Sequence, residues 1–196
     1  GLIQAIPDTI SLDSLKKNDP NFTSLAAWYD QQFNWGPRGS DRLRVARTNF
    51  ARSLAAYSIV CYILQIKDRH NGNIMLDRDG HVLHIDFGFI LSIAPGGSFS
   101  QETAPFKLTE EFVDALDGPE SPYFDLFVKA FTLGFLALRS HHSAILSILE
   151  IIRLQSPFPC FSNRDSSRVV AELSDRFRTE LDEAAAIKHC LQLISS

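Results

Sequence analysis

Residues 67–88 read KDRHNGNIMLDRDGHVLHIDFG, and this stretch decides the fold. Its first seven residues, 67–73, are polar or glycine and precede the short apolar run 74–76. The turn sequence at 77–80 then joins that run to the strand-like residues 81–85. We therefore predict a polar loop followed by a small β-hairpin, and a polar loop between apolar segments is a common place for functional side chains.

The chain on either side of this stretch has helical patterns. Upstream, apolar periodicity predicts a helix over 24–33 and a longer one from Asp41 to about Ile66, with Ser40 as a possible N-cap. Taken with the hairpin, these patterns predict an α+β domain that is predominantly helical. Four helices are predicted downstream. The first begins after a possible cap at Thr109, and the second begins at Ser121-Pro122 and covers 123–139. The other two cover 142–154 and 166–193.

Composition limits the number of domains and the class of partner. The 196 residues, 45% hydrophobic and 21% charged, fit one globular domain with a substantial core. A formal net charge of −4 argues against a nucleic-acid partner, since such proteins usually present a basic surface. A local basic cluster has helical spacing, which predicts a solvated helix face. Its members are Arg38, Arg42, Arg44, Arg47 and Arg52.

Cysteine usage and hydropathy indicate the compartment. The three cysteines, Cys61, Cys160 and Cys190, fit neither a disulfide framework nor a clustered zinc site, which predicts a reducing cytosolic compartment. The sequence has no signal-peptide pattern at its start, and the longest apolar stretch, near 54–66, is too short to span a bilayer. We therefore expect any membrane contact to be peripheral.

Three side chains in residues 67–88 have the spacing of a kinase catalytic centre. Kinases place a catalytic Asp five residues before a metal-binding Asn, and a second metal-binding Asp opens a later Asp-Phe-Gly. Asp68, Asn73 and Asp86 match this layout. Carboxylate and amide oxygens suit Mg²⁺, which shares its remaining positions with ATP phosphates. The pattern therefore predicts Asn73 and Asp86 as metal ligands in a phosphoryl-transfer site.

The acceptor for the substrate proton has two candidates. Asp68 and His70 both lie in the catalytic loop, and either side chain is able to take a proton from a hydroxyl group. The residue pattern leaves both alternatives open. His81 and His84 lie on the predicted hairpin instead, where we interpret them as structural histidines.

The order of residues in the catalytic loop carries a family resemblance. Protein kinases have His-Arg-Asp there, whereas residues 68–70 read Asp-Arg-His, which resembles the phosphoinositide kinase superfamily. Residues 67–77 and 84–91 are similar to the type III phosphatidylinositol 4-kinases nearly letter for letter, and 106–109 and 111–114 resemble the beta type most. The resemblance extends from the first residues to Phe161 and weakens after Asn163.

The resemblance implies a protein-kinase-like C-lobe over 1–196, with a small catalytic β-hairpin. It implies a hinge near 1–7, a catalytic loop at 67–73 and an activation loop at 86–107. The glycine-rich loop and lysine strand of an N-lobe would then precede Gly1, and the family's final helix would follow the last residue. By the same resemblance, Gln4 and Ile6 contact adenine from the hinge and Met75 and Ile85 form the floor of its pocket. Family hinges usually have Glu where Gln4 stands.

The implied activity is ATP-dependent phosphorylation of phosphatidylinositol at the inositol 4-hydroxyl, giving phosphatidylinositol 4-phosphate. ATP and Mg²⁺, or Mn²⁺, would be the cofactors, and His70 would be the favoured base with Asp68 orienting it or sharing the proton. Residues 89–106 would face the lipid. The expected location is cytoplasmic and peripheral on Golgi-type membranes, with no nucleic-acid partner. Two alternatives remain: a protein kinase of the same superfamily, and a non-catalytic binding fragment.

Overall fold

A computed structural model describes residues 4–91, 93, 95, 104–162 and 165–196. The predicted hinge and activation loop are therefore only partly covered. Residues 1–3 of the hinge, and residues 92, 94 and 96–103 of the activation loop, lie outside the described residues.

The chain folds into two compact units, and each is formed by three separate segments of the sequence. Unit 1 contains residues 1–57, 69–85 and 108–127. Unit 2 contains residues 58–68, 86–107 and 128–196.

The described residues are mostly helical, with one small antiparallel sheet, which confirms the predicted fold class. The sheet has the strands β1 Thr9–Ser11, β2 Ile74–Asp77 and β3 Val82–His84. The helices are α1 Leu12–Asn18, α2 Leu25–Phe33, α3 Gly39–Leu64, α4 Glu110–Ala115, α5 Pro122–Ser140, α6 His142–Arg153, α7 Pro159–Ser162, α8 Ser166–Arg176 and α9 Glu183–Ile194.

The sheet lies in unit 1 and contains the predicted hairpin. Strands β2 and β3 pair antiparallel, with Met75 opposite Leu83. Strand β1 adds a third strand on the other edge of β2, where Ser11 lies opposite Met75. The sequence did not predict β1, because a three-residue strand is too short to have a detectable period.

The turn of the hairpin is fixed to the helices of unit 1. Gly80 has a φ of +83° there. Its carbonyl oxygen accepts a 2.8 Å hydrogen bond from the buried Tyr29 hydroxyl, and the Asp79 carbonyl accepts one of 2.9 Å from the Asn49 amide. Burial raises the pKa of Tyr29 well above its ordinary value, so this hydroxyl remains a neutral donor.

The aromatic core of unit 1 lies beside a buried arginine. Phe50 packs edge-on against both Tyr29 and Phe112. Arg47 is only 7% exposed, and its guanidinium lies 3.2 Å from Asp117 and 3.6 Å from Asp30. The prediction that these arginines form a solvated helix face is therefore wrong for Arg47. Helical periodicity could not show this burial, because the paired carboxylates come from distant parts of the chain.

The core of unit 2 is also aromatic and aliphatic. Phe131 and Phe135 of α5 are fully buried, and Phe131 packs against Phe106 with ring centroids 5.1 Å apart. Helix α8 contributes Val169 and Leu173, both buried. These side chains give the unit a core of its own.

Several helix boundaries differ from the prediction. Helix α3 begins at Gly39, so Ser40 lies inside it and is not the N-cap. Thr109 occupies the N-cap position of α4 without a side-chain capping bond. The segment predicted as one helix over 166–193 is two helices, α8 and α9. Ser121 does cap α5, since its hydroxyl accepts from the backbone N–H of Phe124 at 3.0 Å.

In the part of the chain that the structure describes, no single helix meets the length and hydropathy expected of a membrane span. Helices α5 and α6 meet those criteria only when taken together as a pair bent by 66°.

Candidate active site

Residues 69–73 of the predicted catalytic loop lie in unit 1 and form a tight turn before β2. Residues Asn71–Asn73 make one turn of 3₁₀ helix, and the His70 side chain caps it by accepting a hydrogen bond from Gly72 N–H at its Nδ1, 3.0 Å away. A ring nitrogen that accepts from a backbone N–H is unprotonated, so a neutral His70 has its proton on Nε2. The ring itself is exposed.

Two hydrogen bonds join this loop to the end of the hairpin. Ile85 N–H donates to the Asn73 carbonyl at 3.0 Å. Arg69 is 6% exposed and donates from Nη1 to the Ile85 carbonyl at 2.7 Å. Both peptide groups of Ile85 are therefore held by the catalytic loop. Ile85 directly precedes Asp86 in the sequence.

One face of the sheet carries the predicted adenine-floor residues. Met75 and Leu83 are paired across the hairpin and half-buried, and Ile85 follows Leu83 by two positions, the spacing of side chains on one face. The neighbouring residues Ile74 and Leu76 point the other way and are buried. Met75 and Ile85 thus lie on the more accessible face of the sheet.

Unit 2 contains the two remaining catalytic candidates, Asp68 and Asp86. Their backbones have φ values of 63° and 57°. Aspartate tolerates this left-handed region better than most residues but still pays about 1 kcal/mol. The two segments run side by side, since Lys67 N–H donates to the Phe89 carbonyl at 2.9 Å. Uncommon backbone conformations of this kind often occur at functional sites.

In both units a glycine lies two residues after a predicted site residue. Gly88 N–H donates to Asp86 Oδ1 at 3.3 Å, as Gly72 N–H does to His70. A Cβ at position 88 would lie 3.3 Å from that carboxylate oxygen, and one at 72 would lie 3.0 Å from the His70 ring. Each glycine therefore leaves room for the preceding side chain to fold back onto its backbone.

The structure distributes the predicted site residues as follows. Unit 1 brings His70, Asn73, Met75 and Ile85 together around the base of the hairpin. The hinge residues Gln4 and Ile6 also belong to unit 1, where both are exposed. Unit 2 holds Asp68 and Asp86 on adjacent segments.

Each of the two predicted metal ligands is of a type that binds magnesium. Asp86 of unit 2 offers an exposed carboxylate, and Asn73 of unit 1 has a side-chain amide oxygen. No group of three or more His, Cys, Asp or Glu side chains within the described ranges is arranged to hold a metal ion. His81 and His84 instead make structural contacts, with Asp77 and with the Tyr57 ring.

Sequence reasoning missed four residues around this site. Arg69 lies between two candidate catalytic residues, but sequence reasoning gave it no role. Its role depends on its burial, because a buried arginine needs hydrogen-bond acceptors. Gly72 and Gly88 share a spacing of two after a functional side chain, which was a visible signal. The two-residue period of the predicted strand 81–85 places Leu83 on the same face as Ile85.

Comparison with known proteins identifies the family of the chain. A family profile described as phosphatidylinositol 3- and 4-kinase matches residues 3–163. The chain belongs to this family. Its match contains the catalytic loop, the hairpin and the Asp-Phe-Gly segment.

Curated relatives include proteins from a plant, an amoeba and a yeast. The chain is 44% identical over 199 residues to phosphatidylinositol 4-kinase beta 2 of Arabidopsis thaliana, covering 100% of the chain and 17% of the relative. It is 43% identical over 196 residues to a phosphatidylinositol 4-kinase of Dictyostelium discoideum, covering 100% and 16%. For PIK1 of Saccharomyces cerevisiae the identity is 42% over 196 residues, covering 93% and 18%. The chain thus spans less than a fifth of these relatives.

Proposed function

We propose that the protein containing this chain phosphorylates phosphatidylinositol at the inositol 4-hydroxyl, using ATP and a divalent cation. The observation that carries the proposal is the catalytic loop, whose Arg69 and Asn73 hold the peptide groups of Ile85 just before Asp86. The family profile and the names of the relatives support the same reaction.

The catalytic residues have separate tasks in this proposal. Asp86 and Asn73 would hold Mg²⁺, or Mn²⁺, which when bound neutralises charge on the ATP phosphates. Met75 and Ile85 would support adenine from the open face of the sheet, with the backbone of Gln4 and Ile6 beside it. Arg69 acts as a positioning residue, because it donates its hydrogen bond to the backbone carbonyl of Ile85 and has no proposed contact with substrate.

The hydrogen bond at His70 favours Asp68 as the proton acceptor. Nδ1 of His70 is occupied by Gly72 N–H, so the neutral ring presents Nε2 with a proton and acts as a donor. Asp68 is a carboxylate and accepts protons through either oxygen. We therefore propose that Asp68 removes the proton from the inositol hydroxyl and that His70 donates a hydrogen bond to an anionic group at the site.

The charge of the activation loop supports an uncharged inositol ring as the acceptor. Residues 89–106 contain no Lys or Arg and one acid, Glu102. A headgroup that already has ring phosphates would need basic side chains to offset its charge. We propose unmodified phosphatidylinositol as the preferred substrate, with apolar residues of this loop meeting the bilayer surface. From the family resemblance we also propose a cytoplasmic location, peripheral on intracellular membranes of the Golgi type.

The test uses the complete protein, radiolabelled ATP and vesicles of defined lipid. Phosphatidylinositol, its 4-phosphate and its 4,5-bisphosphate are supplied separately, with a protein substrate such as casein as a fourth arm. Deacylated products are separated to distinguish the 3-, 4- and 5-phosphates. We expect the 4-phosphate from unmodified phosphatidylinositol, and no product from an Asp86→Asn variant. Faster turnover of a phosphorylated inositide, or of casein, would contradict the proposal.

A further inference from the structure

Unit 1 has a wide depression with a basic lining, outside the residues assigned to catalysis. It lies between the first turns of α3 and the β2–β3 turn and has a volume of about 810 Å³. Four arginines face two aspartates, which leaves a formal charge of +2 when histidine is neutral. The charged residues are Arg38, Arg42, Arg44, Arg78, Asp41 and Asp79. We call this feature the arginine depression.

Its arginines are weakly neutralised. No ion pair is found for the exposed Arg38 within residues 4–91, 93, 95, 104–162 and 165–196. Arg44 lies 3.7 Å from Asp41, and Arg78 lies 3.2 Å from Asp8, but all four side chains are more than half exposed. Exposed ion pairs of this kind are weak, with small interaction free energies. These guanidinium groups therefore keep most of their capacity to bind an external anion.

An exposed tryptophan contacts one of the lining arginines. The Arg42 guanidinium lies over the Trp35 ring, 4.0 Å from its centroid, and this ring is in a residue that is 63% exposed. Nε and Nη2 of Arg42 are shielded from solvent and have no hydrogen-bond partner in the described part of the chain. Tryptophan and arginine are the residue types that most often dominate binding at protein interfaces.

The depression also has an apolar part. Phe33, Val45 and Ala46 line it together with the charged residues. Val45 is 48% exposed, whereas Ala46 and Arg47, which follow it on α3, are buried. A ligand that matches this lining is anionic and carries at least one apolar group.

We propose that the arginine depression binds an acidic peptide segment of a partner protein. Acidic side chains would pair with Arg38, Arg44 and Arg78, while one apolar side chain rests on Val45. Guanidinium groups favour carboxylates because their planar donors match two oxygens at once.

The aspartates and the shape favour a peptide over a lipid headgroup. Asp41 and Asp79 would repel a headgroup with several phosphates, but they accept hydrogen bonds from peptide N–H groups. A bilayer surface is also too flat to enter a concave site. A peptide of several residues fills a space of this size.

The test is a titration with peptides of defined composition. The probe is a labelled pool of nine-residue peptides with four Asp or Glu residues around a central Leu or Phe, and the control pool has Asn and Gln instead. Binding to the complete protein is measured by anisotropy.

Two arginines on α3 form a matched pair of variants. Arg44→Glu changes the depression, whereas Arg52→Glu makes the same charge change at an exposed position of α3 that does not line it. We expect Arg44→Glu to weaken binding of the acidic pool about tenfold and Arg52→Glu to change it less than twofold. Arg38→Glu should behave as Arg44→Glu does, and lipid kinase activity should stay unchanged in all three.

Three results would overturn the inference. Equal binding of the acidic and neutral pools would show that binding does not depend on charge. Equal effects of Arg44→Glu and Arg52→Glu would show that the peptides do not bind in the arginine depression. Binding of vesicles that contain phosphatidylinositol 4-phosphate, sensitive to Arg44→Glu while the peptides do not bind, would assign the depression to a lipid. Because kinase activity is measured separately, failure here leaves the proposed reaction untouched.

Discussion

The two ends of the β2–β3 hairpin are held in different ways. At the turn, side chains from α2 and α3 bind the backbone: Tyr29 reaches the Gly80 carbonyl and Asn49 the Asp79 carbonyl. At the catalytic end, the backbone of Ile85 is bound by the catalytic loop itself, through Arg69 and Asn73. The turn is thus attached to the core, and the catalytic end to its own functional loop.

Glycine serves a different purpose at each end. At the turn, Gly80 combines a positive φ with close packing, since a Cβ there would lie 2.8 Å from the Ala46 Cβ. Beyond the catalytic end, Gly88 leaves room for the Asp86 carboxylate. Substitutions at the turn should therefore change stability, and substitutions at the catalytic end should change activity.

The largest expected effect is that of Asp86→Ala. It removes the proposed principal metal ligand from an exposed polar position, so we expect activity to fall at least about 10³-fold, or about 4 kcal/mol in the barrier, with little change in folding. Lipid phosphorylation in saturating Mg²⁺ and a thermal melt measure the two quantities. Wild-type activity would remove Asp86 from the metal site.

Gly80→Ala should give the largest loss of stability. The new methyl group meets the backbone of Ala46, and a positive φ is strained for alanine, so we expect a loss of about 3 kcal/mol in the free energy of unfolding. Gly118→Ala is the matched control, because Gly118 has a φ of +91° with no atom within 4 Å of an added Cβ. It should cost only about 1 kcal/mol. Equal losses in urea unfolding would mean that contact with Ala46 does not matter.

Asp68→Asn and His70→Gln separate the two candidate bases. If Asp68 takes the proton, Asp68→Asn should lower kcat about 10²-fold, whereas His70→Gln, which keeps a donor, should lower it about tenfold. Single-turnover phosphorylation of phosphatidylinositol measures both. The opposite ranking would assign the proton to His70.

Gly88→Ala should reduce activity with little effect on stability. The added Cβ crowds Asp86 Oδ1 at 3.3 Å, so we expect the carboxylate to shift and kcat to fall about tenfold. An unchanged melting temperature with reduced kcat is the expected result. A loss of stability as large as that of Gly80→Ala would end the distinction between the two glycines.

The smallest effect is expected for Tyr29→Phe at the turn. Removing the hydroxyl leaves the buried Gly80 carbonyl without its side-chain donor, which should cost about 1 kcal/mol of stability. Tyr57→Phe is the control in the same unit, since no hydrogen bond of the Tyr57 hydroxyl is found among the described residues. Urea unfolding compares the two variants, and equal losses would contradict the role of Tyr29.

The basic cluster is the clearest case in which sequence reasoning reached its limit. Helical spacing predicted that its five arginines share a solvated face, because periodicity reports only which residues lie on the same side of a helix. The structure buries Arg47 between Asp30 and Asp117 and places Arg44 in a depression with Arg78. These partners are 17 to 70 residues distant in the chain, so no local pattern contains them.

The sequence alone determined the hairpin and the helical class, because turn chemistry and periodicity are local properties of the chain. Motif spacing is local too, and it predicts Asp68, Asn73 and Asp86 as the kinase residues. Only the tertiary structure decided that β1 joins the sheet, that Arg69 holds Ile85 and that Nδ1 of His70 is occupied by Gly72. The first two depend on groups that are distant in the sequence. The third depends on the direction of a single ring, which backbone geometry selects and residue order does not encode.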